Sequence, residues 1–502
     1  MPSAEKEQNA VVADSTTETT SLVGRIVEVT DELGVDQKRV KDWLTALIGE
    51  TTKDVPVWDK NVTRTLNKAM QALDEKLSRQ LAAVMHHPRF QKLEGTWRGM
   101  KYLVFNSETS NTLKIRALNA SKEVLAKDLE KAVEFDQSQL WKKIYTSEFN
   151  QPGGKPYGAL IGDYEFSNHP EDVAMLRKIS EIAAASFCPF ISAASNSMFG
   201  FKDFTALPKP RDLEKIFAAS DYIEWNAFRD TEESRFVTLV MPRVLARPPY
   251  GKANKKIEEF EFEEFVLDSK GRHVEAEHDQ FCWMNAAYVE GAVLTRAFAE
   301  TGWCTAIRGY ENGGKIEELP LYKFVSKDGD LNVKCPSEIQ IDDSRSAELD
   351  KLGFLSLGWY KQTDYSVFFG AQTAQKPKNY GPKQQEANAN AQISARLPYI
   401  LCASRIAHYL KAIGRDAVGS FKEKKDVETW LNNWIADYIA DDPNASPEIR
   451  ARFPLMAAQI QVENVPGKPG SYRAVAHLRP WLQFEELTTS LRMVATLPKK
   501  VG

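Results

Sequence analysis

At 502 residues the chain exceeds what one hydrophobic core serves, at roughly 100–200 residues per domain, so two or more domains are expected. Its 65 basic against 69 acidic side chains leave a net charge of −4, which argues against a globally basic nucleic-acid binder, and 43% hydrophobic residues suffice for a sizeable core. Cys188, Cys282, Cys304, Cys335 and Cys402 lack CxxC spacing and read as reduced core thiols; with no apolar leader and no membrane-length apolar run, a soluble cytoplasmic protein without membrane insertion is expected.

Residues 1–20 are polar and read as disordered. Two short amphipathic helices are expected within 21–60. The first carries Leu22, Ile26, Val29 and Leu33, with Arg25, Glu28 and Asp31 beside the stripe; the second opens at an Asp36 cap and carries Val40, Trp43, Leu44 and Leu47. Each is near or below the ~12–15 residues at which an isolated helix is even marginal in water, so both stripes need a partner. From Val62 through Leu66, Met70, Leu73, Leu77, Leu81 and Val84 the apolar residues recur at three- and four-residue steps, which predicts a long helix with a heptad-like seam.

"HHPRFQKLEGTWRGMKYLV" (86–104) follows. Adjacent His86 and His87 point in different directions, and one acid, Glu94, cannot complete a metal shell with them. The stretch predicts a helix-to-strand corner: Pro88 stops the helix, Gly95 and Gly99 bracket a tight connection, Trp97 anchors the packing, Arg89 and Arg98 pair with acids, and Met100, Tyr102 and Val104 alternate as a strand.

An α/β region is expected over 61–370. It has strands at 157–162 and 235–241, the latter closed by Pro242, and a helix at 171–187 with Met175, Ile179, Ile182 and Phe187 inward. "KKIEEFEFEEF" (255–265) reads as a solvated strand face and "NGGK" (312–315) as a hairpin turn. Residues 371–393, almost without large apolar side chains, read as a linker arm. Within 394–502 come a helix with Leu397, Ile400, Ala403, Ala407 and Leu410 on one face, a helix with Val427, Trp430, Leu431, Trp434 and Tyr438, and strands over 471–498.

Catalytic signals are weak. "GRDAVGS" (414–420) has phosphate-loop spacing but no lysine and follows a helix; there is no GxSxG, no GxGxxG after a strand and no cysteine beside a histidine. His408, within "RIAHYLK", reads as a packed helix residue. No cofactor is expected, and an enzyme whose site is assembled from distant residues, or a nucleic-acid binder, are the rival readings.

The 86–104 stretch closely resembles the signature of the large subunit of the type VI secretion contractile sheath, the TssC (VipB, ImpC/EvpB) family. "YGALIGDYEF" (157–166), "PRVLARPPYG" (242–251), "FCWMNAAY" (281–288), "GWCTAIRGYENGGKIEELP" (302–320), "LPYILCASRIAHYLKAIGRD" (397–416) and "LRPWLQFEELTTSLRMVATLP" (478–498) resemble further family blocks in family order. The resemblance implies a structural, non-enzymatic protein with a multi-domain fold similar to phage-tail and pyocin sheaths. It implies pairing with the small subunit TssB (VipA) and helical polymerisation of the pairs around an inner Hcp tube. Assembly on a baseplate, contraction, and dismantling by the AAA+ unfoldase ClpV are implied with it. On that reading Leu22, Arg25, Ile26 and Val29 form the unfoldase signal, and Val40, Trp43, Leu44 and Leu47 pack on the small subunit. Tyr472, Ala474, Ala476, Leu491, Met493 and Ala495 lie on strands exchanged between subunits, and Lys425 and Glu428 face the tube.

Overall fold

The apolar steps ending at Val84 form one 24-residue helix, α1 (Val62–Met85). The computed structural model describes residues 62–483 apart from 252–253, 259, 266–276, 326–329, 419–422, 441, 443, 467–471 and 482. The sequence-predicted helices with Leu22, Arg25, Ile26, Val29, Val40, Trp43, Leu44 and Leu47, and the terminal strand with Leu491, Met493 and Ala495, lie outside the described residues.

The corner after α1 joins helix to helix, not helix to strand. Pro88 occupies the first turn of α2 (Pro88–Phe105), where a missing N–H leaves nothing unpaired, and His87 caps the helix by accepting the Arg89 N–H on Nδ1 at 3.3 Å. Met100, Tyr102 and Val104 therefore lie on the last turns of α2. Gly95 and Gly99 are buried inside it, where a Cβ would overlap the Trp283 carbonyl oxygen and the Tyr288 ring. Trp97 is no anchor: it is 61% exposed.

Further helices are α3 (Lys122–Lys131), α4 (Pro170–Ser186), α5 (Ala287–Thr301), α6 (Asp343–Lys351), α7 (Gln385–Ser394), α8 (Leu397–Asp416) and α9 (Lys424–Ala436). The main sheet has six strands in the order β1 (Leu160–Phe166), β2 (Phe190–Ala194), β3 (Val237–Met241), then Phe354–Trp359, Ser366–Phe368 and Lys315–Ile316. The first four are mutually parallel and the last two antiparallel, so the fold is α/β with a mixed sheet.

Both sheet faces are buried, and period-2 alternation sorts the side chains between them. Val237, Leu239, Met241 and Phe354 join the core beneath α4 and α6 with Ile179, Ile182, Trp225 and Phe228; Val240, Ile191, Leu355 and Leu357 join the opposite core with Val289 and Val293 of α5. Phe187, expected inward, is the left-handed cap of α4 (φ 53°) and is exposed. The NGGK stretch turns, but it leads into the edge strand Lys315–Ile316 rather than closing a hairpin.

The expected arm is partly interior. Ala371, Thr373 and Ala374 are buried, the Ala374 N–H donates to the Val237 carbonyl at 2.8 Å, and residues 385–394 form α7. Small side chains here let the backbone run close to β3 instead of marking a solvated linker. α8 buries Leu397, Ile400, Leu401, Cys402 and Ile406, whereas Ala403 is exposed. Beyond it, α9 packs on a hairpin of β4 (Leu455–Asn464) and β5 (Tyr472–Pro480) around Leu431, Ile435, Ile460 and Val462. β4 went unread in the sequence, and it pairs the sequence-predicted exchange strand within its own chain.

Candidate assembly interface

α2 is fixed by a buried ion network that only the fold brings together. Arg247, on the segment after β3, donates from Nε to Glu94 Oε1 at 2.7 Å and clasps Glu264 with Nη1 and Nη2 at 2.6 and 3.0 Å. Arg98, one turn after Glu94, donates to the same Glu94 oxygen at 2.7 Å and to the Tyr250 hydroxyl at 3.0 Å; His86 Nε2 lies 3.3 Å from Glu264. Burial alone would raise both carboxyls, but the arginines, with His86 at Glu264, outweigh it and hold them below the ordinary carboxylate range. The acidic 255–265 segment is thus not a solvated strand: Glu264 is the buried half of a bidentate pair.

Held this way, α2 turns an apolar face to solvent. Phe90, Leu93, Trp97 and Val104 are exposed at helical spacing, opposite buried Gly95, Gly99 and Leu103. On α1 the heptad-like seam is uncovered as well, with Met70, Leu77, Leu81 and Val84 exposed along one face. Exposed large apolar residues scattered singly are ordinary; two helical stripes of four are the signature of an interaction surface.

The C-terminal hairpin has one covered edge and one open edge. On β4, Asn432 of α9 accepts the Ile460 N–H at 2.9 Å and donates to the Ile460 carbonyl at 2.8 Å, and Glu428 accepts the Val462 N–H at 3.3 Å. β5, which carries Tyr472, Ala474 and Ala476, pairs with β4 on one side, and no strand among the described residues pairs with its other side. Of the sequence-predicted tube-facing pair, Lys425 is exposed, while Glu428 is half-buried and engaged with β4.

Buried thiols and two of the histidines are engaged in packing. Burial pushes the thiols of Cys188, Cys282, Cys304 and Cys402 up, the latter three to about 12. His278 meets Glu338 at 2.9 Å beside Arg243, and His408 meets the Ser186 carbonyl at 2.9 Å inside the core. Among the described residues no group of three or more His, Cys, Asp or Glu is arranged to hold a metal, and no helix is long and apolar enough to cross a membrane. Glu94 gives no local signal of its partner Arg247, 153 residues away.

Residues 67–375 match the family described as EvpB/VC_A0108, tail sheath N-terminal domain, and residues 386–497 match its tail sheath gpW/gp25-like domain. The chain is 43% identical over 496 residues to the type VI secretion system sheath protein TssC1 of Pseudomonas aeruginosa, covering 98% of each. Among solved structures, a chain of the anti-feeding prophage baseplate aligns with a TM-score of 0.37 at 9% identity, over 77% of this chain and 84% of the other. The contracted helical sheath of the same particle aligns at 0.28 and 12%, over 63% and 66%.

Proposed function

The chain belongs to the EvpB/VC_A0108 tail sheath family and is a structural subunit of a type VI secretion sheath; from that premise we propose that it pairs with the small subunit TssB through the apolar faces of α1 and α2 and polymerises in the cytoplasm. The pairs form a helical tube around an Hcp inner tube, seated on a baseplate, and contraction propels that tube. The observation that carries this reading is the uncovered pair of stripes, Met70, Leu77, Leu81 and Val84 with Phe90, Leu93, Trp97 and Val104, the second on a helix held in place by the Glu94–Arg247 pair. The stripes at Val40, Trp43, Leu44 and Leu47 extend the same interface. Contraction requires no bond chemistry in the chain: an extended lattice relaxes to a better-packed one, a bistable assembly.

The other assignments follow the same reading. The open edge of β5, at Tyr472, Ala474 and Ala476, receives a strand of a neighbouring subunit, and the segment with Leu491, Met493 and Ala495 supplies one. The tube is touched by the polar face of α9, Lys425 foremost and Glu428 through its second oxygen. Leu22, Arg25, Ile26 and Val29 form the helix that ClpV seizes once contraction exposes it.

Co-expression with the small subunit and electron microscopy test this. Wild type should give long hollow tubes, and Leu93→Asp with Trp97→Asp should abolish co-purification of the two subunits. A pair that still co-purifies and forms tubes refutes the α2 interface. Leu22→Asp with Ile26→Asp should leave tubes intact but let contracted ones accumulate; dismantling at the wild-type rate places the unfoldase signal elsewhere.

A further inference from the structure

α8 belongs to two cores at once. Leu397 and Leu401 sit in the core against the main sheet with α5, while Cys402 and Ile406 sit in the C-terminal core with α9 and β4. Among the described residues no strand pairing joins the β4–β5 hairpin to the six-stranded sheet; side chains link the two cores, those of this helix and of Trp303 among them.

Past Ile406, α8 crosses the carboxyl ends of two helical segments of the N-terminal domain. His408 Nε2 lies 2.9 Å from the carbonyl of Ser186, the last residue of α4. A carbonyl only accepts, so Nε2 carries the hydrogen, and Nδ1 is buried without a partner. One turn on, Lys411 Nζ stands 3.6 Å from the centre of the Phe149 ring and donates to Asn150 Oδ1 at 3.2 Å. One turn further, Arg415 donates to the carbonyls of Phe149 at 3.1 Å and Gln151 at 2.9 Å, at the end of the π-helical segment Lys142–Phe149. The spacing i, i+3, i+7 puts all three on one face of α8. Two are cations meeting the carbonyl end of a helical segment, where its dipole is negative.

We propose that His408, Lys411 and Arg415 are positioning residues that clamp α8 across the carboxyl ends of α4 and the 142–149 segment, so that motion of the N-terminal domain passes to α9 and the β5 edge without bending α8. The clamp is independent of the interface assigned to α1 and α2 and rests only on the sheath role of the chain. The aromatic footing supports it: Phe149 also packs, tilted, on His408 and Phe187 with ring centres 5.4 and 6.1 Å apart, so Lys411 lands on an aromatic cluster.

The test is amide hydrogen exchange on the full-length chain co-expressed with its small partner, comparing wild type with Lys411→Met, Arg415→Gln. Each cation lost should accelerate local opening about tenfold. The expected result is acceleration of about a hundredfold confined to amides of 146–151 and 412–416, with β1–β3, β4 and β5 unchanged, and tubes that assemble but contract incompletely. Arg415→Lys with Lys411 intact should recover most of the protection. Unchanged exchange, or acceleration spread evenly over both sheets, overturns the proposal, and so does local acceleration with normal contraction. If the double variant does not fold, Arg415→Gln alone is read by the same criteria.

Discussion

Glu290 offers a stability test whose sign is set by burial. It lies in α5, 1% exposed, and neither carboxyl oxygen has a hydrogen-bond partner among the described residues. Burial pushes its pKa from 4.5 up to about 8, with Arg296 opposing only weakly. The native state therefore holds a proton that the unfolded chain releases above pH 4.5. Between pH 4.5 and 8 the unfolded state binds fewer protons, so stability falls as pH rises, by about 1.4 kcal/mol per unit, and the loss is complete above pH 8. At pH 7 the loss amounts to about 3 kcal/mol. Glu290→Gln keeps the shape and cannot ionise. Its amide is as unpartnered as the protonated acid, so the comparison rests on the slope with pH, not on one value. Urea unfolding of the purified complex at pH 5.5, 6.5 and 7.5 should show the variant gaining on wild type by about 1 kcal/mol or more per unit. Two curves running parallel across that range refute the reasoning.

Gly95→Ala should destabilise the complex by about 1–2 kcal/mol: overlap with the Trp283 carbonyl costs up to about 3, and the helix propensity gained returns at most about 1. A melting temperature equal to wild type would show that α2 does not press on that backbone. Because β5 pairs with β4 in its own chain, removing it would unmake the hairpin, so the informative truncation falls after Gln483. That variant should still form heterodimers yet give no long tubes, and normal tubes would remove 488–496 from the exchange.

What the sequence revealed was local and periodic. The three- and four-residue steps of α1, the apolar run of β3 and the inward face of α4 each rest on spacing within one element, and the structure holds all three apart from Phe187 at the end of α4. His408 was legible as a packed residue for the same reason, since its neighbours in α8 set its face. The misreadings occurred where a distant element decides. Met100, Tyr102 and Val104 satisfy a strand alternation and the end of a helix equally well; the arbiter is the Trp283 and Tyr288 surface, which needs glycine at 95 and 99 of a helix. Trp97 reads as an anchor because tryptophan buries much area, but its face of α2 lies opposite the one packed through Gly95, Gly99 and Leu103. β4 shows no alternation in the sequence because its buried apolar side chains, Leu455, Ile460 and Val462, stand five and two residues apart, with Met456, Ala457 and Ala458 among the residues between.

The asymmetry of the C-terminal hairpin bears on the kind of polymer this chain can form. A two-stranded hairpin ordinarily has two edges for pairing, and two open edges would invite aggregation without direction. Here Asn432 takes both the N–H and the carbonyl of Ile460 and Glu428 takes the Val462 N–H, so α9 closes the β4 side along its middle. A strand arriving from another subunit then has one side to join, that of β5. An added strand that comes from a different part of the neighbouring chain makes the contact heterologous: donor and acceptor surfaces differ, each subunit has one of each, and nothing in the pairing itself ends the series. Heterologous contacts close into rings or run on as helices according to the rotation between subunits. On the strand exchange proposed above, the side chains of α9 act on assembly indirectly, by leaving the hairpin a single acceptor edge, a geometry that a helical series can use.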